Sequence, residues 1–465
     1  MFKTFRAPWR AVSAAVLIGA AVVVGASAAN AAGPTSHPIT VNPQISAPQT
    51  MAPGAVTFGC QSRPIDGSHG PRCYQPAQIQ TAYGLTPLLS SGVNGTGRTI
   101  VIIDAYSNPY VANDLAIEDG IFGLPAPPSF TAIAPAGAPP AFNINDPNQA
   151  GWAEEITLDV EWAHVMAPGA KIVLAEAASN NDSDILATTK AVIDQNLGDV
   201  ISQSFGEAEA CMDPALLAEQ HTLFAEAAAK GMTVFASSGD SGASQFNCDG
   251  SAAILSASTP ASDPNVTGVG GTTLLADGAT GAYGSETAWT ENLFGCNPPA
   301  VAFADINCSG GGYSTVYDRP SWQASSVKGQ HIMRGVPDVS YNAGVNGGVL
   351  THCSVCNILI GLDPNALAFF LFGGTSAGSP QWAALAADAD QLGGHRIGNI
   401  NQTLYQIAQA QKSYAADLHD VTTGNNDVAE LGGAGYNAGT GWDPVTGLGT
   451  PNAVSLLPDL AKKNK

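Results

Sequence analysis

Two carboxyl side chains four residues apart are the strongest chemical feature of this sequence. Glu155 and Asp159 lie in the stretch 152–166, which contains no glycine or proline and is followed by Pro168–Gly169; this pattern predicts a helix. At about 100° per residue, the two acids fall on one face of that helix. Because half-buried like charges repel, one carboxyl of such a pair keeps its proton, which suits acid–base catalysis.

The same helical projection gives an expectation for the rest of the stretch. Trp162 and Met166 share the face of the two acids, so this face is expected to be half-buried. The opposite face is expected to point into solvent, and it carries Glu154, Thr157, Glu161 and His164. A solvated acidic helix without a catalytic role is the alternative interpretation.

The candidate nucleophile is Ser376. It lies in a glycine-rich run, 373–378, that joins a predicted strand at 366–372 to a predicted helix at 375–390. The free N–H groups at a helix N-terminus favour negative charge, such as that of a developing oxyanion. A serine at this position can also be a simple helix cap.

A nucleophilic serine needs a base to accept its proton. The G-x-S-x-G pattern around Ser376 allows an esterase or lipase, with Asp388 or Asp390 and His419 as partners. Only 89 residues follow Ser376, which leaves little room for the remaining strands of that fold. None of the eight histidines is a persuasive base, and His164 is expected at the surface. A carboxylate base, supplied by Glu155 with Asp159, is the preferred interpretation.

Strand-like and helix-like segments alternate along the chain. Continuous apolar strands separated by helices predict an α/β fold with a parallel sheet covered on both faces. The strands are predicted at 99–104, 171–175, 199–205, 232–237, 266–274 and 366–372. The helices are predicted at 74–84, 152–166, 183–195, 214–230, 375–390 and 401–410.

The first 31 residues have the pattern of a secretory signal. Three basic residues precede an apolar run, and Ala29-Asn30-Ala31 is a cleavage site of the A-x-A type; an uncleaved membrane anchor is the alternative. Cleavage leaves 14 basic against 38 acidic residues, a formal net charge of −24. Such a charge argues against nucleic acid and anionic membranes as partners. We therefore expect a secreted, extracellular protein without a membrane association after signal cleavage.

The eight cysteines are even in number, which with a secretion signal indicates disulfide bonds. Pairing in sequence order is the simplest arrangement, although the sequence does not fix it: 60–73, 211–248, 296–308 and 353–356. The C-x-x-C at 353–356 is also compatible with a redox pair or half of a zinc site. A tight structural loop is preferred, because no second C-x-x-C is present.

A set of short motifs, in this order and spacing, resembles the sedolisins, the serine-carboxyl peptidases with a subtilisin-like fold. The motifs are Glu155-x-x-Leu158-Asp159, Ser237-Ser238-Gly239-Asp240-Ser241-Gly242, Gly310-Gly311-Gly312-Tyr313-Ser314, Arg334-Gly335-Val336-Pro337-Asp338, Gly374-Thr375-Ser376-Ala377, Asp420-Val421-Thr422-Thr423-Gly424 and Gly441-Trp442-Asp443-Pro444. The resemblance covers about residues 74–455. Each motif is weak alone, but the combination is specific.

The resemblance implies four catalytic residues. Ser376 attacks the peptide carbonyl, Glu155 is general base and then acid, Asp159 orients Glu155 and shares its proton, and Asp240 is the oxyanion partner. This arrangement suits acid pH, where an imidazole base is protonated but coupled carboxyls still accept a proton. Asp104 is left out of the set, because its position is not catalytic in the family.

The resemblance also implies one structural Ca²⁺ ion in a C-terminal loop region. Its ligands would be two carboxylates and three backbone carbonyls, a set suited to a hard cation. They would come from Asp420, Val421, Gly439, Gly441 and Asp443. A pair of Asx turns is the alternative interpretation.

These inferences give a signal peptide at 1–31, a flexible N-terminal arm at 32–59 and a peptidase domain at 60–465. The arm is too short for the long folded propeptide of most sedolisins, and Phe205 replaces the family's usual tryptophan. The expected function is that of a monomeric acid endopeptidase acting on polypeptides. A non-catalytic peptide-binding protein on a peptidase scaffold is the alternative.

Overall fold

The computed structural model describes residues 35–41, 43–51, 56–64, 71–291, 307–327 and 331–463. Within these ranges the α-helices are α1 (Pro76–Ala82), α2 (Thr86–Ser90), α3 (Val111–Phe122), α4 (Pro147–Met166), α5 (Asp182–Asp194), α6 (Pro214–Ala229), α7 (Ser354–Leu359), α8 (Gly378–Gly393), α9 (Asn401–Gln409), α10 (Gln411–Asp417) and α11 (Ala453–Lys463). The strands are β1 (Gln49–Thr50), β2 (Cys73–Tyr74), β3 (Thr99–Ala105), β4 (Phe130–Ile133), β5 (Lys171–Ala177), β6 (Val200–Gln203), β7 (Glu207–Ala208), β8 (Thr233–Ser237), β9 (Ser244–Phe246), β10 (Ala253–Leu255), β11 (Ser258–Thr259), β12 (Thr267–Ala276), β13 (Tyr283–Ala288), β14 (Gly312–Asp318), β15 (Met333–Val336), β16 (Val339–Asn342), β17 (Gly348–His352), β18 (Ala368–Phe372), β19 (Leu418–His419) and β20 (Thr450–Pro451).

The core of the fold is an eight-stranded sheet. Its strand order is β13-β12-β8-β6-β3-β5-β4, and β16 also pairs with β12. All of these pairings are parallel except that of β12 with β13. Connections between parallel strands need crossovers, and the helices provide them.

The helices cover the central sheet on two faces, as predicted. In β3, Ile100 and Ile102 belong to the apolar cluster that also contains the buried residues of α4 and α8. Val101 and Ile103 point the other way, into the cluster formed with α5 and α6. Side chains alternate along a strand, so continuous apolar runs of this kind require a helix layer on each side. The predicted α/β fold class is therefore confirmed.

The long helix α4 departs from its expected exposure. It begins at Pro147, where the Asp146 side chain accepts a hydrogen bond from Asn148 N at 3.0 Å. Thr157, Glu161 and His164 were expected in solvent, but all three are fully buried. That prediction is wrong because α3, α7 and β17 cover the face of α4 that points away from the active site. Of the predicted solvent-facing set, only Glu154 remains partly exposed.

The strand before Ser376 belongs to a separate sheet. β18 pairs antiparallel with β17 and with β1, and β2 completes a four-stranded sheet of order β1-β18-β17-β2. The sequence analysis grouped this segment with the strands of the parallel sheet. An apolar run does not reveal its pairing partner, so this assignment was decided by tertiary contacts.

Three of the four disulfides proposed in sequence order are present. They join Cys60 to Cys73, Cys211 to Cys248 and Cys353 to Cys356. Cys296 lies outside the described residues, and so does the predicted signal peptide at 1–31. None of the helices in the described part of the chain combines the length and apolar character needed to cross a bilayer.

Candidate active site

The carboxyl ends of three neighbouring parallel strands meet at one edge of the central sheet. Asp104 lies near the end of β3, Ser204 follows β6, and Asp240 follows β8. Ligand and catalytic sites of open α/β sheets form at this edge. Glu155 and Asp159 approach it from α4, and Ser376 approaches it in a turn of 3₁₀ helix, Thr375–Ala377, that leads into α8.

Ser376 lies beside the two acids of α4. The Ser376 side chain interacts with the Glu155 carboxyl, and its Oγ donates to Ser204 O at 3.3 Å. Ser204 Oγ in turn donates to Asp159 Oδ1 at 2.8 Å. The spacing of four residues on α4 and the position of Ser376 therefore bring the predicted nucleophile, base and orienting acid together.

Asp240 faces the same cavity from the loop after β8. Its Oδ1 accepts hydrogen bonds from Thr375 N and Thr375 Oγ1, both at 2.7 Å. Gly374, at φ +83°, adopts a left-handed conformation that favours glycine. A methyl group at Gly374 would collide with Oδ2 of Asp240. Oδ1 is thus fixed by Thr375, while Oδ2 lies beside the approach to Ser376.

Asp104 adds a fourth carboxyl, which was not among the predicted catalytic residues. Ile100, Ile102 and Asp104 alternate along β3, so Asp104 points to the same side of the sheet as α4. It is fully buried, and neither carboxyl oxygen has a hydrogen-bond partner among the described residues. The alternation of side chains along β3 could have predicted that Asp104 faces α4.

Burial and mutual repulsion raise the pKa values of these carboxyls. Burial raises the pKa of Glu155 well above its ordinary value, and the nearby Asp159 raises it further. Burial, followed by Asp104, raises the pKa of Asp159 in the same way. Burial raises the pKa of Asp240 to about 6, opposed by the hydrogen bonds from Thr375. Coupled groups of this kind lose their protons in separate steps, so the site can hold both a carboxylate and a protonated carboxyl.

The esterase arrangement is not assembled in the described part of the chain. Asp388 is buried on α8 without a hydrogen-bond partner there. Asp390 accepts from Ile397 N at 2.6 Å, and His419 stacks on Tyr283 with ring centroids 3.8 Å apart. His419 is therefore not placed as a partner of Ser376, whereas Glu155 lies beside it.

A cavity of about 460 Å³ opens above Ser376. Its walls include Glu155, Ser204, Asp240 and Ser376. The remaining walls come from the loops after β6 and β8 and from residues 37–41 and 44 near the N-terminus. The cavity is large enough for several side chains of a peptide.

The C-terminal loop contains the two carboxylates expected at a calcium site. Gly441 N donates to Asp420 Oδ2 at 3.0 Å, and Gly439 N donates to Asp443 Oδ2 at 2.9 Å. The Tyr414 hydroxyl donates to Leu448 O at 3.0 Å and lies near both Asp420 and Asp443. Thr446 Oγ1 reaches both Asp443 Oδ2, at 3.1 Å, and the carbonyl oxygen of Val421, at 3.3 Å. The oxygen-rich set fits a hard cation.

The chain is similar to characterised peptidases over most of its length. Residues 144–427 match the model of the subtilase family. Kumamolisin from Bacillus sp. (strain MN-32) is 33% identical over 439 residues, which cover 89% of this chain and 72% of kumamolisin. Sedolisin from Pseudomonas sp. (strain 101) is 38% identical over 285 residues, or 60% of this chain and 44% of that protein. Tripeptidyl-peptidase 1 of Bos taurus is 31% identical over 269 residues, or 55% of this chain and 42% of that protein. The chain thus spans less than half the length of the last two relatives.

The structural comparison agrees with these likenesses. The crystal structure of Pseudomonas sedolisin, described as a serine-carboxyl proteinase complexed with two molecules of pseudo-iodotyrostatin, superposes with a TM-score of 0.70 at 29% identity. The match covers 85% of this chain and all of that one. The fold, the sequence matches and the grouping of Ser376 with two helix carboxyls all agree: this chain belongs to the sedolisin family of serine-carboxyl peptidases.

Proposed function

We propose that this protein is a secreted endopeptidase that works at acid pH and cleaves peptide bonds through an acyl-enzyme on Ser376. The observation that carries the proposal is the position of the Glu155 carboxyl beside the Ser376 side chain: both line one cavity, and the two side chains interact. A serine is a weak nucleophile until a neighbouring base takes its proton. Glu155 is the base in contact with it, and Asp159 and Asp104 lie close enough to influence its protonation.

In the proposed reaction, Ser376 Oγ attacks the carbonyl carbon of the peptide and Glu155 takes its proton. Asp240, when protonated, donates a hydrogen bond to the oxyanion that forms. Glu155 then returns the proton to the leaving amine as the C–N bond breaks. In the second half, Glu155 accepts a proton from the water that attacks the acyl carbon. It returns this proton to Ser376 Oγ as the ester C–O bond breaks and the acid product leaves.

Acid action is supported by the protonation states that these steps need. The carboxyl group of Asp240 must be protonated to donate, and its pKa of about 6 means that this proton is lost above that pH. A histidine base would be mostly protonated at about pH 4. Glu155 can still carry a negative charge there, because a coupled group of carboxyls gives up its first proton before the others.

Internal cleavage is supported by the shape of the cleft. Residues 37–41 and residue 44 both line the cavity that contains Ser376. The cavity of about 460 Å³ has room for several side chains of a polypeptide, which suits internal cleavage. Secretion is supported by three disulfides, since such bonds persist in oxidising compartments.

The proposal is tested with the full chain acting on an unfolded protein at about pH 4. We expect Ser376→Ala to abolish cleavage and Glu155→Gln to lower kcat by about 10²–10⁴-fold. The matched control is His331→Ala, which removes an exposed imidazole that stacks on Tyr313 and should leave the rate unchanged.

Two results would contradict the mechanism. Full activity of Glu155→Gln would show that another group takes the proton of Ser376. Binding of peptides without any cleavage by the unaltered chain would instead favour a peptide-binding protein built on this scaffold. Mass analysis of the products separates internal cleavage from release of tripeptides at the chain end.

We also propose one structural Ca²⁺ ion in the C-terminal loop. Asp420 and Asp443 would supply carboxylates, and Val421, Gly439 and Gly441 would supply carbonyl oxygens. When bound, the ion supplies a positive charge that holds acidic side chains and loop carbonyls together. It takes no part in the proposed proton transfers.

A further inference from the structure

Beside the candidate cleft lies a second groove of about 340 Å³. We propose that this groove is an additional binding site for the polypeptide substrate, and that it holds an apolar side chain from the part of the substrate that extends out of the cleft. The inference rests on the proposed peptidase function, because it extends the substrate-binding surface of the same site. Folded proteins bury most of their large apolar side chains, so such a site would favour unfolded polypeptides.

The lining of the groove is mostly apolar. Phe370 of β18 and Cys356 of α7 line it and are buried, each 3% exposed. Leu359 and Ile360, at the end of α7, also line it, but they are 50% and 52% exposed. Two adjacent, half-exposed aliphatic side chains beside an apolar hollow are typical of a binding surface. The remaining lining residues are Pro43, Ile45, Ser46, Ala47, Pro48 and Glu154.

The fold holds the end of α7 in this exposed position. The Cys353–Cys356 disulfide spans the first turn of the helix. After the helix the chain turns back on itself, because Asn357 O accepts from Leu362 N at 2.8 Å and Asn357 Nδ2 donates to Ala366 O at 3.0 Å. The apolar surface is therefore formed before a ligand arrives, which lowers the entropy cost of binding.

The groove and the cleft are next to each other. On α4, Glu154 lines the groove and its neighbour Glu155 lines the cleft. The N-terminal segment, defined as residues 36–51 without the undescribed position 42, separates the two in the same way: Ile45 lines the groove, and its neighbour Gln44 lines the cleft. Since each extended residue spans about 3.3 Å, a substrate bound in the cleft needs few further residues to reach the groove.

The size of the groove favours a segment of substrate over a second copy of this chain. A stable interface between two proteins buries roughly 800 Å² on each partner. The described lining of the groove offers two exposed large apolar side chains, those of Leu359 and Ile360. This surface matches one or two side chains of a bound polypeptide.

The charge of the groove also suits an apolar ligand. Glu154 is the one ionisable side chain among the described residues that line it. Burial raises the pKa of Glu154 to about 7, so the groove is uncharged at the acid pH proposed for catalysis. An uncharged apolar groove accepts a side chain such as leucine and disfavours a charged or amide side chain.

Leu392 supplies a matched control for Leu359. It is 38% exposed on α8 and is not among the described residues that line either cavity. Leu359→Ser and Leu392→Ser remove the same apolar group from the protein surface, but Leu359→Ser alone removes it from the groove. A difference between the two variants therefore reports on the groove.

The experiment measures peptide binding by the full chain with Ser376→Ala at about pH 4, so that no probe is cut. The probes are two fluorescent peptide libraries of alanine, glycine and serine that differ in carrying either leucine or asparagine at alternate positions. We expect the leucine library to bind more tightly than the asparagine library. The ratio of the two Kd values should be about three- to tenfold smaller in Leu359→Ser than in Leu392→Ser. Ile360→Ser should reduce the ratio likewise, and it replaces Leu359→Ser if that variant does not fold.

Three results would overturn the proposal. The first is equal binding of the two libraries by the chain without a groove substitution, and the second is the same ratio in Leu359→Ser, Ile360→Ser and Leu392→Ser. The third is self-association in sedimentation that Leu359→Ser abolishes, which would identify a second copy as the occupant. These readouts need no catalysis, so failure of the peptidase function would appear separately, as no cleavage by chains that keep Ser376.

Discussion

At the scale of single residues, the site depends on which oxygen atoms carry protons. Glu155 lies beside Ser376, Asp159 accepts from Ser204, and Oδ1 of Asp240 is held by Thr375. One oxygen of Asp159 and one of Asp240 are thus fixed, so Glu155 and the second oxygen of Asp240 are the groups that can exchange a proton with substrate. This division of roles follows from burial, which makes a second negative charge in the site costly.

The protonation of Asp240 gives the first prediction. Its pKa is raised to about 6, and it must be protonated to donate, so kcat should fall about tenfold per pH unit above about 6. The Asp240→Asn amide donates at every pH. We expect this variant to have lower activity at about pH 4 but no loss of rate centred near pH 6. An unchanged alkaline limb in Asp240→Asn would rule out Asp240 as its cause.

Gly374 gives the second prediction. In Gly374→Ala the added methyl group would collide with Oδ2 of Asp240, so kcat should fall by about 10²–10³-fold, as on loss of an oxyanion donor. Gly361→Ala is the matched control, because Gly361 has φ +81° and no neighbouring atom within 4 Å of an added methyl. Both variants carry the same backbone strain of about 1–2 kcal/mol. Equal loss of kcat in the two variants would attribute the effect to backbone strain alone.

At the scale of elements, α4 is acidic on both sides. One side carries Glu155 and Asp159, and the other packs against α3 and β17. On that second side one oxygen of Glu161 and one of Glu118 accept from His352 N, at 3.2 and 3.3 Å, and the other oxygen of each has no hydrogen-bond partner among the described residues. The surrounding titratable groups are Asp114, Asp119, His164 and His352.

This buried pair predicts how stability depends on pH. Burial raises the folded-state pKa values of Glu118 and Glu161 well above the unfolded values, and the charge of Asp119 near Glu118 and that of Glu118 near Glu161 raise them further. Their contribution to the free energy of unfolding is therefore complete below the unfolded pKa of about 4.3. It is lost as the pH rises through the folded-state pKa. The free energy of unfolding should fall by about 1.4 kcal/mol per pH unit for each proton retained by the folded state.

The change Glu161→Gln should reduce this loss, because an amide can accept from His352 N and donate to Glu118 without ionising. Urea unfolding at several pH values between about 4 and 7 measures how steeply the free energy of unfolding falls with pH. Glu219→Gln is the control, since Glu219 is exposed on α6, and its slope should match that of the unaltered protein. If the slope for Glu161→Gln is also unchanged, the pair does not set the pH dependence.

At the scale of the whole molecule, the C-terminal loop joins distant parts of the chain. Ser309 Oγ donates to Val445 O at 2.6 Å, and Leu448 N donates to Asp338 O at 2.8 Å, next to β16. The loop that carries Asp420 and Asp443 is thus fastened to the central sheet. A bound cation would restrain this whole region in a chain with a formal net charge of −21.

Removal of calcium should therefore lower Tm. A ligand present at 100 times its Kd stabilises the folded state by about 2.7 kcal/mol, so EGTA should lower Tm measurably and Ca²⁺ should restore it. Mg²⁺ should restore it less, because it requires a smaller octahedral site. Asp420→Asn should remove most of the Ca²⁺ response, whereas Asp318→Asn, at an exposed position, should retain it. A Tm that does not respond to EGTA in the unaltered chain would contradict the calcium proposal.

Periodicity and spacing in the sequence were sufficient to predict those features that depend on residues close together in the chain. Alternating apolar strands and helices predicted the covered parallel sheet, and the spacing of Glu155 and Asp159 predicted that both face one side of a helix. Three cysteine pairs close in sequence were also predicted correctly. Periodicity and short loop closure are properties that a sequence carries directly.

Tertiary contacts decided the rest. Glu161 and His164 are buried because α3, α7 and β17 cover α4, and a helical projection contains no information about such neighbours. Asp104 joins Asp159 and Glu155 because α4 packs against β3. The N-terminal segment lines the cavity that contains Ser376 because it pairs with Asn180 and β18, which are more than 130 residues away. Local periodicity determines which residues share a face, whereas long-range packing determines what that face meets.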